Sequence, residues 1–154
     1  MDVQEFLSYF REEFFIPELK ATTKDEVLEE MVQHVASKYP LKDTRLIIDM
    51  LKRRERLGST GIGHGIAIPH GRTLSTPSLL VAFGKSPRGI EYDSIDKKPV
   101  HMVFMIVAPP QEESNVYLPF LGKLVEVLQV KHVRDQLMQV TTFQEFIDTL
   151  AGGF

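Results

Sequence analysis

At 154 residues and 43% hydrophobic side chains, the chain is long enough to bury one core and too short for two ordinary domains, so residues 1–154 are read as a single domain. A formal charge of -3 lacks the basic excess that duplex nucleic acid or an anionic membrane selects, and no apolar run nears the ~18 residues of a membrane span, so neither nucleic-acid binding nor membrane insertion is expected. The acidic start is unlike a secretory signal, which points to the cytoplasm, and the absence of cysteine leaves histidine, carboxylate, hydroxyl and arginine as the available chemistry.

In chain order, Thr23 and Glu26 have the spacing of a capping box, and Val27, Leu28, Met31, Val32 and Val35 follow at helical period, predicting a helix over 24–38 that ends near Pro40. A second helix over 44–57 places Leu46, Ile47, Met50, Leu51 and Leu57 on one side before Gly58 stops it. Residues 58–72 read as a glycine-rich loop. Segments 78–84 and 100–107 are short, apolar and β-branched or aromatic, and the second is too continuous for a strand with one face in water, which makes it a central strand.

Beyond APPQEESN, Tyr117, Leu121, Leu124 and Leu128 recur at helical spacing. Pro119 requires this helix to start near Asn115, because only a first turn tolerates a missing N–H. A last helix opens at Thr142, again with a glutamate three residues on, and closes at Gly152. Alternating helices and strands give an α/β or α+β layered domain with a mixed sheet.

The chemistry concentrates in GSTGIGHGIAIPHGR, residues 58–72. Glycines in succession expose backbone N–H groups that can cradle an anion, but two familiar phosphate loops do not fit. Gly61, Gly63 and Gly65 miss the dinucleotide pattern, and Gly84-Lys85-Ser86 has Leu79 where a nucleotide loop needs glycine. On a helical plot Arg54 falls within roughly 20° of the centre of the 44–57 apolar stripe. A guanidinium there calls for a carboxylate or a phosphoryl group. Ser59 and Thr60 add hydroxyl donors, and His70, on a stiff approach behind Pro69, supplies a nitrogen nucleophile. The alternating Ile62, Ile66 and Ile68 suggest an apolar collar that limits water around it. His64 and His70 lack a marked third ligand for a metal, and Ser59 lacks the partners of a serine hydrolase.

The runs Arg54-Glu55-Arg56-Leu57-Gly58-Ser59-Thr60-Gly61-Ile62-Gly63 and Gly65-Ile66-Ala67-Ile68-Pro69-His70-Gly71 closely resemble the signature of the mannitol/fructose-type enzyme IIA domains of the bacterial sugar phosphotransferase system. Gly89-Ile90 with Tyr92, Pro99-Val100 leading into a strand, and the later leucine-spaced helix extend the resemblance along nearly the whole chain. The resemblance implies a mixed sheet flanked by helices on both faces, no cofactor, and a phosphoryl carrier. In such a carrier His70 accepts phosphate on Nε2 from an HPr-like phosphocarrier and passes it to an enzyme IIB, while Arg54 helps hold the phosphoryl group. The length of the chain looks most like the nitrogen-related branch, whose members regulate other proteins (a transporter, kinase or transcription regulator) through their phosphorylation state.

One departure stands out. Family members commonly carry a second histidine near the start of the later helix, and Tyr117 occupies that place. Tyr117 and His64 are the further candidates for contact with the phosphoryl group, Tyr117 alternatively being an aromatic packed on its helix. Two functions are therefore carried forward: a carrier working through His70, and a regulatory docking module that keeps the fold with weak or no phosphotransfer.

Overall fold

A computed structural model describes residues 1–111 and 115–154. The helices are α1 (Val3–Ser8), α2 (Lys24–Lys38), α3 (Thr44–Leu57), α4 (Tyr117–Leu128), α5 (Lys131–Leu137) and α6 (Phe143–Ala151), with a 3-10 turn at Glu12–Phe14. The strands are β1 (Phe15–Ile16), β2 (Gly61–Gly63), β3 (Ile66–Ala67), β4 (His70–Arg72), β5 (Leu80–Ile90) and β6 (Val100–Ala108). They form one sheet in the order β1-β5-β6-β3-β2, with β4 following β3 along the same edge of β6. β5 runs antiparallel to β6, while β3 and β4 run parallel to it, so the sheet is mixed as expected.

β6 is central and its side chains divide two cores. Met102, Phe104, Ile106 and Ala108 face α1, α4, α5 and α6, together with Phe6, Phe83, Phe120 and Phe146. Val103, Met105 and Val107 face α2 and α3 with Leu28, Met31, Ile48 and Leu51. Burial on both faces explains the unbroken apolar run, since the period of two is present but both phases are apolar.

The helix bounds at 24–38 and 44–57 agree with the reading from periodicity, as does the capping box in which Thr142 accepts from the Glu145 N–H and Glu145 from the Thr142 N–H. The expected box at Thr23 is not formed. Its hydroxyl donates to the Glu26 side chain at 2.6 Å, while its backbone bridges to Glu91 in the sheet. The start expected near Asn115 falls at Tyr117, which leaves Pro119 in the first turn; Glu112, Glu113 and Ser114 of the preceding segment lie outside the described residues. Residues 58–72 are not one loop, since β2, β3 and β4 lie within them. The strand expected over 78–84 is β5, which begins at Leu80 and continues to Ile90 through an irregularity after Lys85.

The buried face of α3 is turned from the expected one. Ile47, Ile48, Leu51 and Glu55 are buried, whereas Leu46 is 40% and Leu57 86% exposed. Arg54 consequently lies about 75° from the centre of the true stripe at 100° per residue. The charge that points inward is Glu55.

Candidate functional site

His70 opens β4, and its orientation follows from the strand's alternation. A Cβ on Gly71 would overlap the Met50 sulfur of α3, so Gly71 faces α2 and α3 and allows α3 to approach closely. His70 and Arg72 therefore leave the opposite face. Their register partners, Ile106 and Ala108, belong to that face as well. Pro69 has no N–H for a ladder, which separates β3 from β4, but its carbonyl accepts from Ile106 N–H at 2.9 Å and keeps the approach to His70 on β6.

The imidazole is partly exposed and its Nδ1 lies 2.6 Å from the Ile68 carbonyl oxygen. A carbonyl only accepts, so Nδ1 carries the proton and Nε2 the lone pair. Ile66 and Ile68 contribute their side chains to the core under α4, and Ile62 is partly exposed on β2. What this stretch supplies directly to the ring is the Ile68 carbonyl.

Gly58, at φ +156°, ends α3 in a conformation that residues with a Cβ rarely adopt. Gly61 pairs with Ala67 in antiparallel register, and Thr60 accepts from Ile68 N–H at 3.0 Å. Continuing that register backwards brings Ser59 and Gly58 to the level of Pro69 and His70. Arg54 donates to the Gly58 carbonyl at 2.8 Å. It is a partly exposed cation at the rim, not a buried one. Ser59 Oγ, also partly buried, accepts from Gly61 N–H at 3.1 Å and donates to the Tyr92 carbonyl at 3.4 Å.

Thr60 is placed differently from the expectation that its hydroxyl meets a phosphoryl group. It is 4% exposed; its N–H donates to Glu55 Oε1 at 3.0 Å and its hydroxyl to Glu55 Oε2. Tyr92 donates to the same Oε2 at 3.2 Å, and Lys24 pairs with Oε1 at 3.4 Å. Burial, and then the Glu55 carboxylate, push the Tyr92 phenol well above its ordinary range. Glu55 thus ties α2, α3, the start of the glycine segment and the β5–β6 connection together. Periodicity did not reveal it because a stripe defined by apolar residues passes over a carboxylate. Its spacing from Ile48 and Leu51 was the available signal.

His64 is excluded from the site by register. It sits at φ 56° in the turn between β2 and β3, where histidine and asparagine are tolerated, and its N–H donates to Asp96 at 3.2 Å. The N–H groups of Lys98 and then His64 help hold the Asp96 carboxyl below its ordinary value. The adjoining Gly65 carbonyl accepts from His101 and Met102, whereas His70 pairs with Ile106. That is four to five residues of β6, or about 15 Å. Among the described residues no group of His, Asp and Glu is arranged to hold a metal ion.

Tyr117 is 5% exposed and packs in the core beneath α4. The Arg72 guanidinium lies over its ring, 4.6 Å from the centroid, and donates to the Pro109 carbonyl at 2.9 Å. Arg72 was not singled out from the sequence, although the strand alternation His70-x-Arg72 contains the signal. His70, Arg72 and the start of α4 lie at the C-terminal end of β6, and the extended register directs Gly58 and Ser59 toward the same end. This end can place a nitrogen lone pair, hydroxyl groups and two cations around an incoming anion.

Among the described residues no helix is long and apolar enough to cross a membrane. Over 132 residues the chain is 36% identical to the fructose-specific EIIABC component of the phosphotransferase system of Bacillus subtilis, matching 86% of this chain but spanning only 21% of that protein. The crystal structure of the nitrogen regulatory protein IIA-Ntr from Neisseria meningitidis superposes with a TM-score of 0.85 at 27% identity, covering 95% of this chain and 99% of that one. IIA mannitol from Escherichia coli, solved in complex with phosphorylated IIB mannitol, shares the fold at 22% identity with a TM-score of 0.76, covering 93% and 97%. The model of the phosphoenolpyruvate-dependent sugar phosphotransferase system EIIA 2 family matches residues 8–152, and the chain belongs to that family.

Proposed function

We propose that the protein is a phosphoryl carrier in which His70 Nε2 takes the phosphoryl group from an HPr-like phosphocarrier. The observation that carries this reading is the Nδ1 contact with the Ile68 carbonyl at 2.6 Å, which fixes the tautomer needed for attack through Nε2 without a separate base. The Nε2 lone pair forms a new N–P bond while the donor's N–P bond breaks and the donor imidazole keeps that electron pair. No proton moves. The positive ring charge passes from the donor to His70, where the Ile68 carbonyl stabilises it.

Arg54, at the end of α3 beside Gly58 and Ser59, assists by drawing charge from the phosphoryl oxygens. Thr60 acts through Glu55 by holding the segment in place, and Ser59 lies at the rim. Delivery to an enzyme IIB, or regulation of another protein, follows from a change of one to two charges at a partly exposed site. The family's sugar-transport members and the nitrogen regulatory relative support both outlets.

The test is intact-mass detection of an acid-labile adduct after incubation with phosphoenolpyruvate, enzyme I and HPr. Wild type and His64→Ala take up the group, while His70→Ala does not. Label retained by His70→Ala overturns the assignment. Tyr117, which stands where the family resemblance implies a second histidine, favours the second reading, a docking module. No adduct on wild type, with a partner protein captured equally by wild type and His70→Ala, establishes that reading instead.

A further inference from the structure

Resting on the carrier reading, we propose that Arg72 is a phosphoryl-binding residue of this protein, with Tyr117 as the platform that positions it. His70 and Arg72 leave the same face of β4, opposite Gly71 and the Met50 side chain that Gly71 admits. Side chains two apart on a strand are separated by about 7 Å, a gap that an extended arginine spans. Arg72 is partly buried and held in a defined pose. Its Nη1 donates to the Pro109 carbonyl at 2.9 Å and reaches that of Pro110 at 3.5 Å, and the guanidinium carbon lies 4.6 Å from the centroid of the Tyr117 ring.

The ring is itself immobilised, 5% exposed in the core at the first turn of the 12-residue helix α4. An aromatic face attracts a cation and leaves the guanidinium plane parallel or tilted to it without neutralising the charge. Arg54 comes from α3, which packs on the Gly71 side of β4. Arg54 and Arg72 therefore stem from opposite faces of β4, and in the proposed adduct each turns a planar cationic fork toward the phosphoryl group on Nε2. Tyrosine at 117 is in this arrangement the seat of a permanent cation rather than a phosphoryl ligand in its own right.

The experiment compares wild type with Arg72→Gln, Arg72→Lys, Tyr117→Phe and Tyr117→Leu. Each is phosphorylated in parallel by phosphoramidate, a small donor that needs no protein docking, and by the phosphoenolpyruvate, enzyme I and HPr relay. Initial rate, adduct half-life and the ³¹P resonance of the adduct are read, with circular dichroism to establish folding. With phosphoramidate, Arg72→Gln is expected to fall about tenfold or more in rate and to shift the resonance. Arg72→Lys, which keeps the charge and the stem but not the fork, falls between it and wild type. Tyr117→Phe retains more of the rate than Tyr117→Leu because it keeps a ring face. Folded Arg72→Gln or Arg72→Lys with wild-type phosphoramidate rate and resonance overturns the proposal, and a deficit seen only with the relay makes Arg72 a docking residue and overturns it too. Wild type that takes up no label from either donor overturns the carrier reading and this inference with it, whereas label on wild type and equally on folded Arg72→Gln overturns this inference alone.

Discussion

Glu55 is a carboxylate at 6% exposure whose two oxygens have different neighbours, and that difference predicts how substitutions rank. Oε1 accepts from the Thr60 N–H and pairs with Lys24, groups that can only donate. Oε2 accepts from the hydroxyls of Thr60 and Tyr92, groups that can reverse and accept. Glutamine can therefore keep its carbonyl at the first position and donate from its amide at the second, losing mainly the attraction to Lys24. Alanine removes the acceptor of all four groups and leaves the two hydroxyls, 3.1 Å apart, with only each other. Glu55→Ala should lower unfolding free energy by about 2–4 kcal/mol and Glu55→Gln by about 1–2 kcal/mol, measured as shifts in urea midpoint at constant m-value. Equal losses would show that charge, rather than acceptor geometry, is what holds the glycine segment.

At the scale of elements, two close approaches fix where β4 and β2 lie, and they differ in whether they can be relieved. The space denied to a Cβ at Gly71 is filled by the Met50 side chain, whereas a Cβ at Gly61 would lie 2.8 Å from the Ser94 Cα, which is backbone. Gly71→Ala should destabilise by about 1–3 kcal/mol and displace β4 from α3. Adding Met50→Ala should recover part of that loss, so that the double mutant is more stable than additivity predicts. Gly61→Ala with Ser94→Gly should recover a smaller share, because the Ser94 Oγ and Cβ contacts go but the 2.8 Å contact with its Cα stays. Unfolding free energies for the two cycles decide it, and additivity in the first would place the Gly71 contact elsewhere.

The same elements show what the sequence could and could not disclose. α2 and α6 were legible because N-cap and stop residues bracket them, and β6 because a strand apolar at every position but His101 has few other uses. The motif residues around His70 were legible as chemistry. β2, β3 and β4 were not legible as strands, because two or three residues cannot display a period and their pairing with β6 is decided by long-range register. The rotation of α3 escaped for a related reason: apolar residues were counted toward the core, but Leu57 is exposed at the end of the helix while Glu55 is buried by its partners. Arg72 escaped because its neighbour, Tyr117, is distant in sequence.

For the whole molecule, the aromatic core is fastened to the sheet by more than packing, and Lys85 is one such tie. It lies on β5, 7% exposed, and its ammonium donates to the Val140 carbonyl and, at 3.3 Å, to that of Met138. These carbonyls belong to the connection between α5 and α6, so one side chain fastens the sheet to the helices that close the aromatic core. Burial pushes its pKa below the ordinary 10.5, with the Glu145 charge opposing the shift. A lysine whose folded-state pKa is lowered is charged in both states at neutral pH, where the full burial penalty acts. As pH rises through the folded-state pKa toward 10.5, the unfolded chain holds the proton that the folded chain has released, and this group's contribution to stability increases. Lys85→Met, which fills the space and has no proton to lose, should lower stability at pH 7 by about 1–3 kcal/mol through the two carbonyls left without a donor. Measured by urea unfolding from pH 7 to 10.5, the stability of wild type relative to Lys85→Met should climb with pH. A difference that stays level would mean that the ammonium is as well stabilised by the two carbonyls and Glu145 as it is by water in the unfolded chain.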